Sequence, residues 1–159
     1  MLSLNLPDAE LTEKWLERAG MPYYICDHCH GLHLSDVQER EGVADARLFA
    51  EDQGLLLSID LELRPSALLV IQADSPRMNM MYPSLKIFPE VSDDTLPRLV
   101  VCDLLLTSEG VTFEQFVAFV GITLESAMQL LEECRQQGVC GWPEEGEEGA
   151  PVSGVEALH

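Results

Sequence analysis

Residues 55–63 constrain the fold more than any other segment of this chain. Every odd-numbered residue among them is Leu or Ile, whereas the even-numbered positions include Ser58, Asp60 and Glu62. Alternation with a period of two is typical of a β-strand that turns one face toward a core and the other toward water. We therefore expect a sheet that is covered on one side.

Five further segments have the composition of strands. Residues 42–50 pair most plainly with 55–63, because Glu51-Asp52-Gln53-Gly54 between them forms the turn of an antiparallel hairpin. Short strands are predicted at 23–25, 32–34 and 84–88, and a strand of nine residues is predicted at 98–106. The last of these is so apolar that we place it in the interior of the sheet.

Helical periodicity appears on both sides of the hairpin. Apolar residues recur every four positions from Leu11 to Ala19, and Gly20 ends this first helix. A second helix is expected to open at Pro65, and the Ser75-Pro76 pair is expected to end or interrupt it.

Two helices are predicted to close the domain. Thr112-Phe113-Glu114-Gln115 has the form of a capping box, in which the Thr and Gln side chains satisfy free backbone N–H groups. The helix that follows is expected to break at Gly121, and a second helix is expected to run from Thr123 to Gly138. This order of elements predicts an α+β fold with helices packed on one antiparallel sheet.

The charge of the chain is strongly one-sided. It holds 28 acidic and 9 basic residues, a net charge of −19, although 47% of its residues are apolar. Such a charge argues against binding to nucleic acid or to an anionic membrane, because both need Lys and Arg against phosphates. No apolar run approaches the roughly 20 residues that span a bilayer, so no membrane insertion is expected. No secretory signal is recognisable at residues 1–8, and the expected location is the cytoplasm.

Composition divides the chain at residue 140. Residues 141–159 contain Glu144, Glu145, Glu147, Glu148 and Glu156, several Gly and Pro, and no Lys or Arg. A segment of this kind predicts a flexible acidic tail. We therefore expect a single α+β domain over residues 1–140 and a tail over residues 141–159.

One segment carries chemically suggestive side chains, namely Cys26, His28, Cys29, His30 and His33. An ordinary turn is the interpretation we favour. Two thiols and two imidazoles can build a tetrahedral zinc site, but adjacent residues on extended backbone point to opposite faces, so these ligands are not expected to converge. A redox pair of Cys26 and Cys29 lacks the following helix N-terminus that would lower a thiol pKa. The C-x-x-C-H haem pattern is matched as well, but haem attachment requires export. Metal binding by Cys26, Cys29, His30 and His33 stays open.

The other sulfur-containing residues are expected to be structural. Cys102 in the most apolar strand and Cys134 on a helix are predicted to be inert fillers, whereas Cys140 is predicted to be exposed at the tail junction. The methionine-rich string at residues 78–81 favours core packing over a soft binding surface. An odd number of cysteines without an export signal indicates reduced thiols.

The sequence contains none of the common catalytic motifs. G-x-S-x-G, Walker-type, G-x-G-x-x-G and H-E-x-x-H patterns are all absent. We therefore predict that the protein is not an enzyme and needs no cofactor, and we assign no catalytic, cofactor-binding or metal residues.

Six strings stand in a recognisable order along the chain. They are GMPYYICDHC (20–29), LHL (32–34), GVADA (42–46), LRPSA (63–67), DTLPRLVVC (94–102) and GVTFEQF (110–116). Over roughly residues 5–138 they resemble the YbjN family of sensory transduction regulators, in particular its enterobacterial, AmyR-like branch. Cys26, Cys29 and His33 match the family pattern, whereas His28 and His30 are peculiar to this chain.

The resemblance implies both a fold and a function. The implied fold is that of class I type III secretion chaperones, and the implied function is non-enzymatic regulation through protein–protein contacts. The expected outputs are exopolysaccharide production and virulence, motility and stress traits, all under negative control. A secretion-type chaperone that binds an effector segment is the alternative, and a metal or redox sensor using Cys26 and Cys29 is a minor one. Because a charge of −19 repels a second copy, we favour a monomer over a homodimer.

Overall fold

A computed structural model describes residues 3–140 and contains one six-stranded antiparallel sheet in the order β1-β2-β3-β4-β6-β5. The strands are β1 (Tyr23–Ile25), β2 (Leu32–Leu34), β3 (Val43–Ala50), β4 (Gly54–Glu62), β5 (Lys86–Glu90) and β6 (Arg98–Leu106). The helices are α1 (Ala9–Arg18), α2 (Ser35–Gln38), α3 (Leu68–Met81, after a 3-10 turn at Pro65–Ala67) and α4 (Phe113–Gln136). The predicted α+β class, the antiparallel sheet and all six strands are confirmed.

The alternation in β4 determines which face of the sheet is covered. Leu55, Leu57, Ile59 and Leu61 are fully buried, and they share one core with Trp15 and Leu16 of α1, Ile71 and Met78 of α3, and Phe116 and Leu130 of α4. The even-numbered residues of β4 turn to the opposite face, as the pleat requires. Strand β6 lies between β4 and β5, which confirms its predicted interior position.

The structure describes the predicted domain of residues 1–140 from residue 3 onward. Its last described residue, Cys140, bridges back to Leu63 after β4. The predicted tail at residues 141–159 lies outside the described residues. Within residues 3–140, no helix is long and apolar enough to cross a bilayer.

The prediction that Ser75-Pro76 ends or interrupts the second helix is wrong. Helix α3 runs through Pro76 to Met81. Proline cannot donate to the carbonyl four residues earlier, which here is that of Gln72. The Ser75 hydroxyl lies 3.1 Å from that oxygen and donates to it instead, so the freed acceptor is satisfied inside the helix.

The predicted break at Gly121 is also wrong, because α4 is one helix of 24 residues. A glycine inside a helix costs only about 1 kcal/mol relative to alanine, and packing of the buried stripe outweighs that. Thr123, predicted as a cap, is buried and donates its hydroxyl to Asp103 Oδ2 at 2.9 Å. The capping box is confirmed: Gln115 N–H donates to Thr112 Oγ1 at 3.0 Å, and Thr112 N–H donates to Gln115 Oε1 at 2.8 Å.

Two predictions about sulfur-containing residues need correction. Cys140 is buried rather than exposed, because the chain turns after α4 and packs this residue against Cys134. Of the methionines, Met78 is in the core as predicted, whereas Met80 and Met81 are 82% and 63% exposed. On a helix, only one side of such a string can face the core.

Candidate thiol and metal site

Cys26, Cys29 and His33 come together at the β1–β2 end of the sheet, and we call them the thiol–imidazole cluster. One ligand atom from each lies within 4.8 Å of the other two. Cys29 Sγ is 3.2 Å from Cys26 Sγ and 3.2 Å from His33 Nε2. Both cysteines are free thiols. The expectation that the ligand-type residues would not converge is therefore wrong for these three.

His28 and His30 do not belong to the cluster. Both are exposed in the loop between β1 and β2. Four ligands from this string therefore do not meet, in line with the sequence argument. The turn also exists as predicted: Cys29 N–H donates to Cys26 Sγ at 3.3 Å and closes it.

Strand pairing positions the cluster. Tyr24 of β1 lies opposite His33 of β2, so the two strands bring the start and end of the loop together. Leu32 and Leu34 are buried in the core, and alternation turns His33 to the opposite face of the sheet. Gly31 permits this approach, because a Cβ there would lie 2.8 Å from the Phe49 ring.

The His33 ring is held from three sides. Tyr24 stacks on it with ring centroids 4.7 Å apart and planes 7° apart. His33 Nδ1 lies 3.0 Å from Asp45 Oδ1 and 3.2 Å from Gln38 Nε2. The side chain is only 8% exposed. The carboxylate holds a hydrogen on Nδ1, and this fixes the ring so that Nε2 points toward the thiols.

Asp45 is itself fixed by its neighbours. Its carboxylate accepts hydrogen bonds from Gln38 Nε2 and from Ala46 N–H, the latter at 2.8 Å. Arg47 Nε lies 3.5 Å from the other oxygen. Gln38 in turn accepts from the Tyr24 hydroxyl at 2.9 Å. A connected polar network therefore surrounds the imidazole.

The electrostatics of the cluster favour charged forms. The hydrogen bond with Cys29, together with those from the His28 and Cys29 backbone and from His33, lowers the pKa of Cys26 to about 6. Burial opposes protonation of His33, but hydrogen bonds to Cys26 and Asp45 prevail and raise its pKa above the usual value. Burial likewise opposes ionisation of Asp45, yet hydrogen bonds from Gln38 and His33 lower its pKa. A thiolate at neutral pH is both a metal ligand and a nucleophile.

Sequence reasoning missed three members of this site: Tyr24, Gln38 and Asp45. They lie on β1, α2 and β3 respectively, and only the pairing of these elements brings them to His33. The pairing of β2 with β3 was the one signal that could have placed Asp45 near His33. Sequence analysis predicted both strands, but it did not predict that they pair with each other.

A second feature lies on the same face of the sheet, opposite the core, but on strands β4, β5 and β6. Phe88 of β5 and Leu104 and Leu106 of β6 are 41%, 42% and 66% exposed. The register places Leu104 opposite half-buried Leu56, Leu106 opposite Gly54, and Phe88 opposite Val100. We call Leu56, Leu104 and Leu106 the apolar sheet patch; Phe88 lies apart from it, because the Lys86–Cys102 pair separates the two on this face.

Comparison with known proteins gives consistent matches. Residues 8–136 match the model of the YbjN family, described as "Putative bacterial sensory transduction regulator". YbjN of Escherichia coli (strain K12) and YbjN of Shigella flexneri are each 38% identical over 148 residues, covering 92% of this chain and 94% of the relative. The crystal structure of E. coli YbjN, described as "a putative transcription regulator", superposes with a TM-score of 0.83 at 37% identity. That match covers 89% of this chain and 100% of the other.

Proposed function

The chain belongs to the YbjN family, and we propose that it is a non-enzymatic regulator that acts in the cytoplasm by binding another protein. The family description names a regulator of sensory transduction rather than an enzyme. We further propose that it lowers exopolysaccharide production and restrains virulence, motility and stress traits. These outputs come from the family resemblance and not from any feature of the fold.

The apolar sheet patch is the observation that carries the proposed protein contact. Leu104 and Leu106 are exposed on a sheet face that the long helices do not use for the core. Exposed apolar side chains that share one face are typical of protein interaction sites. A net charge of −19 disfavours nucleic acid as the ligand, because counterion release requires cationic side chains.

An affinity experiment tests the contact. The full chain is used as bait in an extract of native cells under mild salt, beside Leu104→Glu and a control variant Ile122→Glu. Ile122 is 59% exposed on α4, so its substitution adds the same charge elsewhere. We expect a folded signalling component to be retained by the wild type and Ile122→Glu and lost with Leu104→Glu. Equal retention by all three would contradict the assignment of the patch.

A genetic experiment tests the output. Deletion of the gene is expected to raise exopolysaccharide, and complementation with wild type or Ile122→Glu is expected to restore it, whereas Leu104→Glu is not. Unchanged exopolysaccharide after deletion would contradict the repressor role. Protein level is measured in each strain so that loss of the variant is not mistaken for loss of function.

A secretion-type chaperone is the second candidate, and the packing of helices on one face of an antiparallel sheet supports it. Such a protein would hold an extended effector segment through strand addition or an apolar groove. It would retain unfolded effector segments in the pull-down and raise their yield on co-expression, whereas a regulator would retain a folded partner. We also propose a monomer, which light scattering checks directly.

A further inference from the structure

We propose that Cys26, Cys29 and His33 form a zinc site with three protein ligands, and that Asp45 positions the histidine through its Nδ1. The site lies on the face of the sheet opposite the core, and the inference does not depend on the regulatory role proposed above.

The donor set selects the metal. Two thiolates and one imidazole are soft to borderline ligands, which suit Zn(II) and disfavour Mg(II) or Ca(II). The chain has 28 acidic residues, but the cluster itself contains no carboxylate ligand. Zinc bound here would therefore differ chemically from zinc held loosely by surface carboxylates.

The spacing of the donor atoms fits a tetrahedral ion. Zn–S bonds of about 2.3 Å and Zn–N bonds of about 2.0–2.1 Å hold ligand atoms about 3.5–3.8 Å apart. In the cluster the S···S and S···N distances that involve Cys29 are 3.2 Å, and all three atoms lie within 4.8 Å of one another. The two distances that involve Cys29 therefore need to lengthen by only about 0.3–0.6 Å to reach the tetrahedral spacing.

The surroundings of His33 supply the second reason. Metal-bound histidines almost always donate their other ring N–H to a carboxylate or carbonyl, which fixes the tautomer and the ring plane. Here Asp45 Oδ1 lies 3.0 Å from Nδ1, and Tyr24 stacks on the ring. The nitrogen Nε2 is therefore directed at the two thiols before any metal is present. An ordinary turn would not require this arrangement.

Three protein ligands leave a fourth position on the ion. In zinc proteins that position holds water or a group from another molecule. Cys26 and Cys29 are half-buried and the neighbouring His28 is exposed, so water or a partner can approach the ion from the loop. Zinc at this site can therefore alter the binding of a partner protein, or the partner can supply the fourth ligand to the zinc.

Zinc and cobalt titrations of the full chain test the proposal. The protein is reduced, stripped of metal and titrated with Zn(II) in competition with a chromophoric chelator, and separately with Co(II). We expect one tight zinc per chain and a Co(II) complex with a thiolate-to-metal charge-transfer band and tetrahedral ligand-field bands. The double variant Cys26→Ser/Cys29→Ser is expected to lose both, with an affinity loss above about 100-fold.

Three further variants separate ligation from folding. Asp45→Asn is expected to weaken zinc binding by about 10–100-fold while leaving the charge-transfer band in place at saturation, and Asp45→Glu is expected to recover part of the affinity. Cys102→Ser and His30→Ala are matched controls outside the cluster and are expected to bind as the wild type does. Circular dichroism of each metal-free variant verifies the fold. If the double variant unfolds, the single variant Cys26→Ser is used in its place, because Cys26 is only half-buried.

Two outcomes would overturn the site. One is zinc affinity in the double variant equal to that of the wild type, which would assign the binding to surface carboxylates. The other is a Co(II) spectrum without a charge-transfer band, which would exclude thiolate ligation.

Discussion

At the scale of single residues, Asp60 is the most deeply buried charge on the sheet face opposite the core. It is 1% exposed, and its Oδ2 lies 3.3 Å from Arg47 and 3.0 Å from Arg98. Its other oxygen, Oδ1, has no hydrogen-bond partner within the described residues. A carboxylate so placed depends on both guanidinium groups for its solvation.

We predict that Asp60→Ala lowers the free energy of unfolding by about 2–4 kcal/mol, measured by urea denaturation. The loss arises because two arginine side chains, each about one-third exposed, lose their shared counter-ion over a packed sheet. Lys14→Ala is the control, since the Lys14–Glu10 pair is exposed on both sides. That change is expected to cost less than about 1 kcal/mol. Equal effects of the two substitutions would contradict the role given to Asp60.

Asn79 is a residue whose role no sequence pattern indicated. Its Nδ2 donates to Ile87 O at 2.9 Å and to Ser75 O at 2.8 Å, and its Oδ1 accepts from Ile87 N–H at 2.9 Å. Strand β5 lies at the edge of the sheet, where unpaired backbone groups invite another chain. The amide side chain therefore satisfies both main-chain groups of Ile87 on that edge.

We predict that Asn79→Ala lowers the free energy of unfolding by about 2–3 kcal/mol, because buried backbone groups lose their partners. Hydrogen exchange provides a local measurement, and the Ile87 amide is expected to exchange faster while amides in β4 keep their protection. Asn5→Ala is the control, because the Asn5 side chain makes only an exposed hydrogen bond to Ser3. Unchanged exchange at Ile87 would contradict the proposed role.

At the scale of elements, α4 shows how a glycine inside a helix and a glycine just after it affect stability in opposite ways. Gly121 is exposed in the middle of the helix, and a Cβ there would meet nothing within 4 Å. Gly138 follows the helix with φ +72°, and Val139 N–H donates back to Cys134 O at 3.0 Å. Such a C-terminal motif requires the left-handed conformation that glycine adopts freely.

We predict that Gly121→Ala raises the free energy of unfolding by about 0.5–1 kcal/mol, because alanine loses less backbone entropy in a helix. Gly138→Ala is expected to lower it by about 1 kcal/mol or more, since alanine is strained at positive φ. Both are read from urea denaturation midpoints. A loss of stability with Gly121→Ala would mean that α4 does bend at this point.

Local patterns predicted most of these elements. The period-two strand, the capping box and the end of α4 at Gly138 are each determined by residues within a few positions of one another. The breaks predicted at Pro76 and Gly121 failed, because tertiary contacts outweigh local penalties of about 1–3 kcal/mol. In the candidate site, Cys26, Cys29 and His33 were visible as ligand types, but their convergence was not.

At the scale of the whole molecule, the net charge of −19 is the dominant long-range feature. Like charges on a compact chain repel one another, and salt screens that repulsion. We predict that the melting temperature rises by several degrees between about 10 mM and about 300 mM NaCl, where the Debye length falls from about 30 Å to below 10 Å. The measurement is thermal unfolding followed by circular dichroism. A lower melting temperature at high salt would mean that ion pairs outweigh repulsion.

The sequence by itself determined the class of fold, the six strands and the excess of negative charge. Hydrophobic alternation and helix caps act through neighbouring residues, so they can be recognised without knowing where the chain goes next. Only the tertiary structure decided that β6 lies between β4 and β5, that Asp45 meets His33, and that Cys26, Cys29 and His33 meet one another. Those contacts join segments whose pairing depends on the free energy of the whole packed sheet, and no local pattern contains that information.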